Sequence, residues 1–251
     1  MTEPRPVLPA EAADPRPVSQ PLHRQLQALL MARIEAGEWS PGTYLPSETR
    51  LAADYGVSVG TLRKALLELA AQGVVLRRQG KGTVVASHDS DAVLFRFFNL
   101  RRADGSRLRP ESRVLRRRTR AATAEEAALL GLTPPARVIE ITRVREADGT
   151  PIIAERIALD AARFGSLARQ PASLPNTLYQ LYQTDFGVTV HQAEEWLRAI
   201  PAPAEAAAAL GLAAGAPVME IRRIARDYAG SAVELRVSLV ATAANPYVAT
   251  L

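Results

Sequence analysis

Two stretches of this chain align without a gap at an offset of 80 residues: AEEAALLGLTPPARVIEITRV from Ala124 and AEAAAALGLAAGAPVMEIRRI from Ala204. A match of this length is duplication of a structural unit, not shared composition. Each copy reads as a short helix, Leu-Gly-Leu, a turn, and a strand that enters a hairpin over Asp148-Gly149 or Ala229-Gly230. Neither copy can bury its apolar face alone, and two copies are too few for a solenoid. The second half is therefore expected to be one pseudo-symmetric α+β domain around a shared core. A third hairpin is expected ahead of it, from Phe95-Arg96-Phe97-Phe98 through Ala103-Asp104-Gly105 to Ser112-Arg113-Val114.

The first half reads differently. Residues 1–17 hold five prolines and little apolar material, so they are expected to form a disordered tail. From Pro21, Leu22, Leu26, Leu29, Leu30 and Ile34 recur at helical spacing until Gly37. A short helix follows Ser47, and Gly56-Val57 separate it from a third that Ser58 can cap and Leu62, Leu66 and Leu69 can bury. The β-branched runs around Gln79-Gly80-Lys81-Gly82 then read as a hairpin with a basic tip. Three helices and a basic hairpin make a winged helix-turn-helix, expected over 18–87, with a linker at 88–94 and the α+β domain at 95–251.

With 251 residues, two domains fit better than one. There is no cysteine, which excludes disulfides, thiolate metal sites and a cysteine nucleophile. No apolar run reaches membrane-spanning length and the N-terminus lacks a signal peptide's core, so a cytoplasmic protein without a membrane partner is expected. The net charge of +5 is unevenly spread. Residues 18–87 carry a net +3 and 96–120 a net +8, whereas 121–251 carry a net −3. The basic half suits a polyanion, and arginine-rich 96–120 is left open as a DNA contact.

Several spaced motifs agree in order: Leu45-Pro46-Ser47-Glu48, Val57-Ser58 with Thr61-Leu62-Arg63-Lys64-Ala65-Leu66, and Arg77-Arg78-Gln79-Gly80-Lys81-Gly82-Thr83. They resemble the DNA-binding domain of the GntR family of bacterial transcription regulators. In such a domain the third helix enters the major groove. Arg63 is the candidate to read guanine, and Thr61 a phosphate or thymine methyl, with Ser58 capping their helix. Ser47 and Lys64 are phosphate-facing candidates, Arg50 stands one position from the arginine the family usually carries and could compensate for it, and Gly80-Lys81-Gly82 brings the wing backbone and one cation close to a groove. The family's usual arginine is replaced by Thr49, and its usual Arg-Thr by Val59-Gly60; both changes bear on the operator sequence.

Strand alternation places Arg143 and Arg145 on the face of Ile139 and Ile141, and Glu155 between Ile153 and Ile157. Charges on an apolar face need partners. An anion-binding pocket, a solvated strand end and an Arg–Glu bridge all satisfy that pattern. With Asp148-Gly149, Leu178-Tyr179 and Glu234, this spacing resembles the UTRA effector-binding domain of the HutC branch, related in fold to chorismate lyase. The resemblance implies that Arg143 and Arg145 hold an anionic group of a small effector, that Thr177 stands at a position often occupied by serine, and that Glu155, Tyr179 and Glu234 line the pocket. Tyr182 fits a packing stripe.

The function expected is a ligand-responsive DNA-binding regulator, a homodimer reading an inverted-repeat operator in double-stranded DNA and released by a phosphate- or carboxylate-bearing metabolite. Coupling is expected through the segment around Ser87 to Leu94. A small-acid lyase fused to DNA-binding helices, or an architectural DNA binder without effector, are the alternatives. His23, His88 and His191 are scattered and no nucleophile, metal or cofactor motif is visible, which speaks against an enzyme.

Overall fold

The computed structural model describes residues 20–87, 99–170 and 173–249. The expected tail 1–17, the linker 88–94 and the strand Phe95–Phe98 lie outside the described residues.

Helix α1 (Leu22–Glu35) enters at Pro21 and buries Leu26, Leu30 and Ile34. Gly37, at φ 77°, turns the chain out of it. The Ser47 hydroxyl accepts from the Arg50 amide to cap α2 (Glu48–Asp54), and Ser58 caps α3 (Val59–Ala71) through the Thr61 amide. Strands β1 (Val75–Arg78) and β2 (Gly82–Val85) form the antiparallel wing. Leu30, Leu51, Leu62, Leu66, Val75 and Val85 meet in one core, whereas Leu22 and Leu29 of the expected α1 stripe are exposed, at 53% and 54%.

The second domain contains β3 (Glu111–Ala121), α4 (Ala124–Leu130), β4 (Arg137–Ala147), β5 (Thr150–Asp160), α5 (Ala161–Phe164), a 3-10 turn (Gly165–Arg169), α6 (Leu178–Phe186), β6 (Gln192–Pro201), α7 (Ala204–Leu210), β7 (Pro217–Arg226) and β8 (Ala232–Val240). The strands form one antiparallel sheet in the order β3-β4-β5-β8-β7-β6. Read from either edge, this is a single strand followed by a hairpin, with a pseudo-twofold between β5 and β8. α4 packs across onto β8 and α7 across onto β5, each helix crossing into the other copy. That exchange is why neither repeat closes a core alone: Leu130 of α4 and Val138 share a cluster with Ile224 and Leu235 of the second copy. The repeat extends to a cross-strand ion pair, Arg118–Glu140 in one copy and Arg198–Glu220 in the other.

The returning strand of the expected third hairpin joins the six-stranded sheet. A tight turn does form at Gly105, whose amide donates to the Arg102 carbonyl, with a bridge between Arg101 and Arg107. Ser112-Arg113-Val114, however, opens β3 and pairs with Val144, Arg145 and Arg143 of β4. The strand is held there because it satisfies the outer edge of β4, which the repeated hairpin leaves open. Leu100 bridges instead to Tyr247 near the C-terminus.

Candidate functional site

Of the N-terminal candidates, Ser47, Arg63 and the wing tip come together around Glu48. Thr61 sits in the first turn of α3 with its hydroxyl 2.9 Å from that of Ser58. Arg63 and Lys64 are exposed one step further along, as are Arg50 on α2 and Lys81 at the wing. Gly80 and Gly82 take φ of 72° and 104°, values strained for any side chain, so the tip requires glycine. Ser47 and Gly80-Lys81-Gly82 line one cleft between α2 and the wing. The sequence reading missed Glu48 and Arg77 as site residues. Glu48 Oε2 accepts from Arg63 at 2.9 Å and its Oε1 from Arg77 at 3.1 Å, tying helix and wing together.

The arginines of β3 are engaged within their own domain. Glu140, almost fully buried, receives Arg118 at 2.8 Å and Arg120 at 2.7 Å, while Arg116 stands 3.5 Å away. Arg113 reaches Glu146, and Arg120 also reaches Glu126, the N3 residue of the capping box on α4. Their positive charge is spent on orienting an edge strand and a helix cap.

Cross-strand register builds the second site. Arg143, Glu155, Ser238 and Ile221 stand in one row across the sheet, and Ile141, Ile157, Arg236, Arg223 and Glu195 in the next. Glu234 lies one row further, opposite Leu159 and Ala225. These rows face the core that α6 covers. Glu234 and Arg236 alternate with the apolar Val233, Leu235 and Val237 along β8, the pattern of a polar side, yet both are buried, because that side is the domain interior.

The charges there are paired densely. Arg143 donates to Glu155 at 2.5 Å, and their side chains are only 2% and 3% exposed. This rejects the solvated strand end and establishes the Arg–Glu bridge. Arg236 donates to Glu234 at 2.9 and 2.8 Å, and its guanidinium lies 5.4 Å from the Tyr179 ring centre. Tyr182 and Tyr179 donate to Glu234 at 2.8 and 3.3 Å, so the packing tyrosine also satisfies a buried carboxylate. Arg223 donates to Glu195 at 2.7 Å. Burial opposes ionisation of Glu155, but attraction from Arg143, Arg236 and Arg145 outweighs it and holds the carboxyl well below the usual range. Burial pulls the Arg145 guanidinium down to about 9 against the attraction of Glu155.

A recess opens onto this cluster, lined on the sheet side by Arg145, Glu155, Arg223, Arg236 and Ser238 and roofed by Asn99, Leu100 and Tyr247. Its free space is about 30 Å³, room for a water-sized molecule. Asn99 donates to the Tyr247 hydroxyl at 2.8 Å, and that hydroxyl donates to Glu195, closing the roof. Burial and the neighbouring Glu195 carboxylate push the Tyr247 phenol up to about 12.

Of the sequence candidates, Arg145 and Glu155 line the recess. Arg143 supports Glu155 from its row, and Tyr179 and Glu234 stand in the adjoining network. Thr177 precedes α6 as its N-cap residue without a side-chain capping bond and is absent from the recess walls. Its neighbour Asn176 reaches the arginines instead: Arg145 donates to its side-chain oxygen and Arg143 to its carbonyl, both at 3.4 Å. Arg223 could have been found by the repeat, because it is the 80-residue counterpart of Arg143. Tyr247 and Asn99 had no local signal.

The hairpin of β7 and β8 carries the cross-strand pair Arg223 and Arg236 near its middle. At its tip, Tyr228 packs against the winged-helix core, with its ring 5.0 Å from that of His191. Among the described residues no cluster of metal-ligating side chains occurs, and no helix is long and apolar enough to cross a membrane.

A winged helix with a basic tip, followed by a domain that buries arginines beneath a roof of Asn99, Leu100 and Tyr247, defines a DNA-binding regulator with a ligand-sensing domain. Comparison with known proteins agrees. Residues 22–85 match the bacterial regulatory proteins of the gntR family and residues 105–244 match the UTRA domain. The HTH-type transcriptional repressor NagR of Bacillus subtilis is 30% identical over 215 residues, 85% of this chain and 88% of that protein. The histidine utilization repressor of Pseudomonas putida is 29% identical over 204 residues, 81% of either chain. The crystal structure of the ligand-binding domain of a GntR-family regulator from Bordetella bronchiseptica superposes with TM-score 0.56 at 30% identity, covering 62% of this chain and 97% of that one. The chain belongs to the GntR family, in the group whose effector domain is UTRA. It is a transcriptional regulator, not an enzyme.

Proposed function

We propose that this regulator is a homodimeric repressor, released from an inverted-repeat operator when a small anion enters the recess beneath Tyr247. The observation that carries the reading is the convergence of arginines on the buried recess. Arg145, Arg223 and Arg236 line it together, with Arg143 behind Glu155. A wall of guanidiniums in a low-dielectric interior favours a ligand carrying phosphate or carboxylate. Arg145, Arg223 and Arg236 would hold the anion, Ser238 and Glu155 its neutral polar groups, with Arg143, Thr177, Tyr179 and Glu234 supporting from behind. Because the free space is water-sized, entry requires Asn99 and Tyr247 to lift. Asn99 lies five residues beyond the expected linker, and lifting the roof is the movement that would reposition the DNA-binding domain. Effector binding and DNA binding then oppose each other by the same factor.

On the DNA side, Thr61 and Arg63 read bases, while Ser47, Arg50, Ser58, Lys64 and Gly80-Lys81-Gly82 hold the backbone. The test is a gel-shift titration at stated salt on DNA from upstream of the protein's own coding region, with and without pooled anionic metabolites. Selective binding relieved by one pool is expected, and Arg63→Ala should lose selectivity while its effector binding persists. Selective binding that no anion relieves would refute the effector model.

A further inference from the structure

Glu48 is an acid on a surface built to meet a polyanion. Every other charged candidate there is a cation, and a carboxylate facing phosphates weakens binding. Its geometry gives it a purpose. As the first residue of α2 it lies between α3 and the wing, half-buried at 23% side-chain exposure. One oxygen accepts from both Nε and Nη2 of Arg63 at 2.9 Å; the other accepts from Nη2 of Arg77 at 3.1 Å. The two arginines are otherwise exposed, at 54% and 44%. A guanidinium has five N–H donors in one plane. With the Nε side taken by Glu48, the plane of Arg63 is set and its outer donors are left for a base edge. Ordering this long side chain before contact also removes part of the rotamer entropy that base reading must otherwise overcome.

We propose that Glu48 is a specificity-determining positioning residue: its carboxylate holds Arg63 in the base-reading orientation, withholds it from phosphates, and locks the wing arginine Arg77 to the recognition helix. The proposal rests on the reading of Arg63 as a base contact.

The test is selection of binding sites from a randomised duplex pool by the full-length wild type, Glu48→Gln, Glu48→Asp and Arg63→Ala, with affinities for selected and random DNA measured across a salt series. Glu48→Gln keeps the size and removes the charge. It should bind random DNA more tightly, with a salt slope steeper by about one. Its preference should fall about tenfold, and only at the base positions that Arg63→Ala also loses. Glu48→Asp, one methylene shorter, should recover the salt slope but not the preference. A uniform gain for all sequences, with base preferences intact, would reduce Glu48 to a net-charge effect and overturn the proposal. Arg63→Ala selecting the wild-type consensus would instead overturn the role of Arg63, and a wild-type pool that fails to converge would overturn operator reading altogether. Thermal unfolding of each variant separates these outcomes from loss of folding.

Discussion

Replacing Glu155 with glutamine probes the buried charge cluster most directly. The carboxylate is 4% exposed and sits among three guanidiniums, bonded to Arg143 at 2.5 Å with Arg236 at 3.6 Å. Glu155→Gln preserves volume and an acceptor for Arg143 but removes the anion that Arg143, Arg236 and Arg145 surround. Breaking a buried pair by removing one partner costs about 3–5 kcal/mol, and the retained acceptor argues for the lower end, about 3 kcal/mol. For a domain of about 150 residues each kcal/mol lowers the transition by about 3 °C, so a fall of about 10 °C is expected. Differential scanning calorimetry of the full chain separates this transition from that of the winged helix. The variant has a second signature. Phosphate at 100 times its dissociation constant stabilises by about 2.7 kcal/mol, so it should restore most of the loss and benefit the variant more than the wild type. A fall under about 3 °C, with equal responses to phosphate, would refute the claim that Glu155 neutralises buried arginines.

Two further outcomes follow from the geometry. Tyr228→Ala removes the contact between the β7–β8 hairpin and the winged-helix core. It should leave effector and operator affinities each within about threefold while abolishing most of the effector's influence on DNA binding, as fluorescence anisotropy with and without effector would show. A coupling factor equal to wild type would exclude the hairpin as a route. The second concerns pH. Burial pulls the Arg145 guanidinium down to about 9, so it is the arginine of the recess that loses charge first as pH rises, while Arg223 and Arg236 keep theirs. Effector affinity should be level between pH 7 and 8 and weaken only in part above about 9. Calorimetric titration of the wild type and Arg145→Ala measures this, and the same fall at high pH in both would exclude Arg145 as its cause.

The winged helix was legible almost residue by residue because its determinants are local: a cap at Ser47, a cap at Ser58, stripes at helical spacing and glycines at a tight turn. Glu48 escaped that reading, since its partners lie 15 and 29 residues away. The duplicated unit announced the symmetry of the second domain, and strand alternation put Arg143, Arg145 and Glu155 on one face. The same logic failed for β8, where Glu234 and Arg236 are polar residues on an interior face. Alternation tells which side chains share a side, not which side becomes the core.

By itself, then, the sequence determined the elements, their duplication and the family. Tertiary structure decided how the two copies are spent. Arg143 and Arg223 are repeat equivalents, yet register sets the first against Glu155 and the second against Arg236. The first copy thus sets Arg143 and Arg145 against Glu155, the second sets Arg223 and Arg236 against Glu195 and Glu234, and they meet across the pseudo-twofold. Such a charge balance arises only when strands far apart in sequence pair in one register, and the low dielectric of the interior gives that balance its consequence.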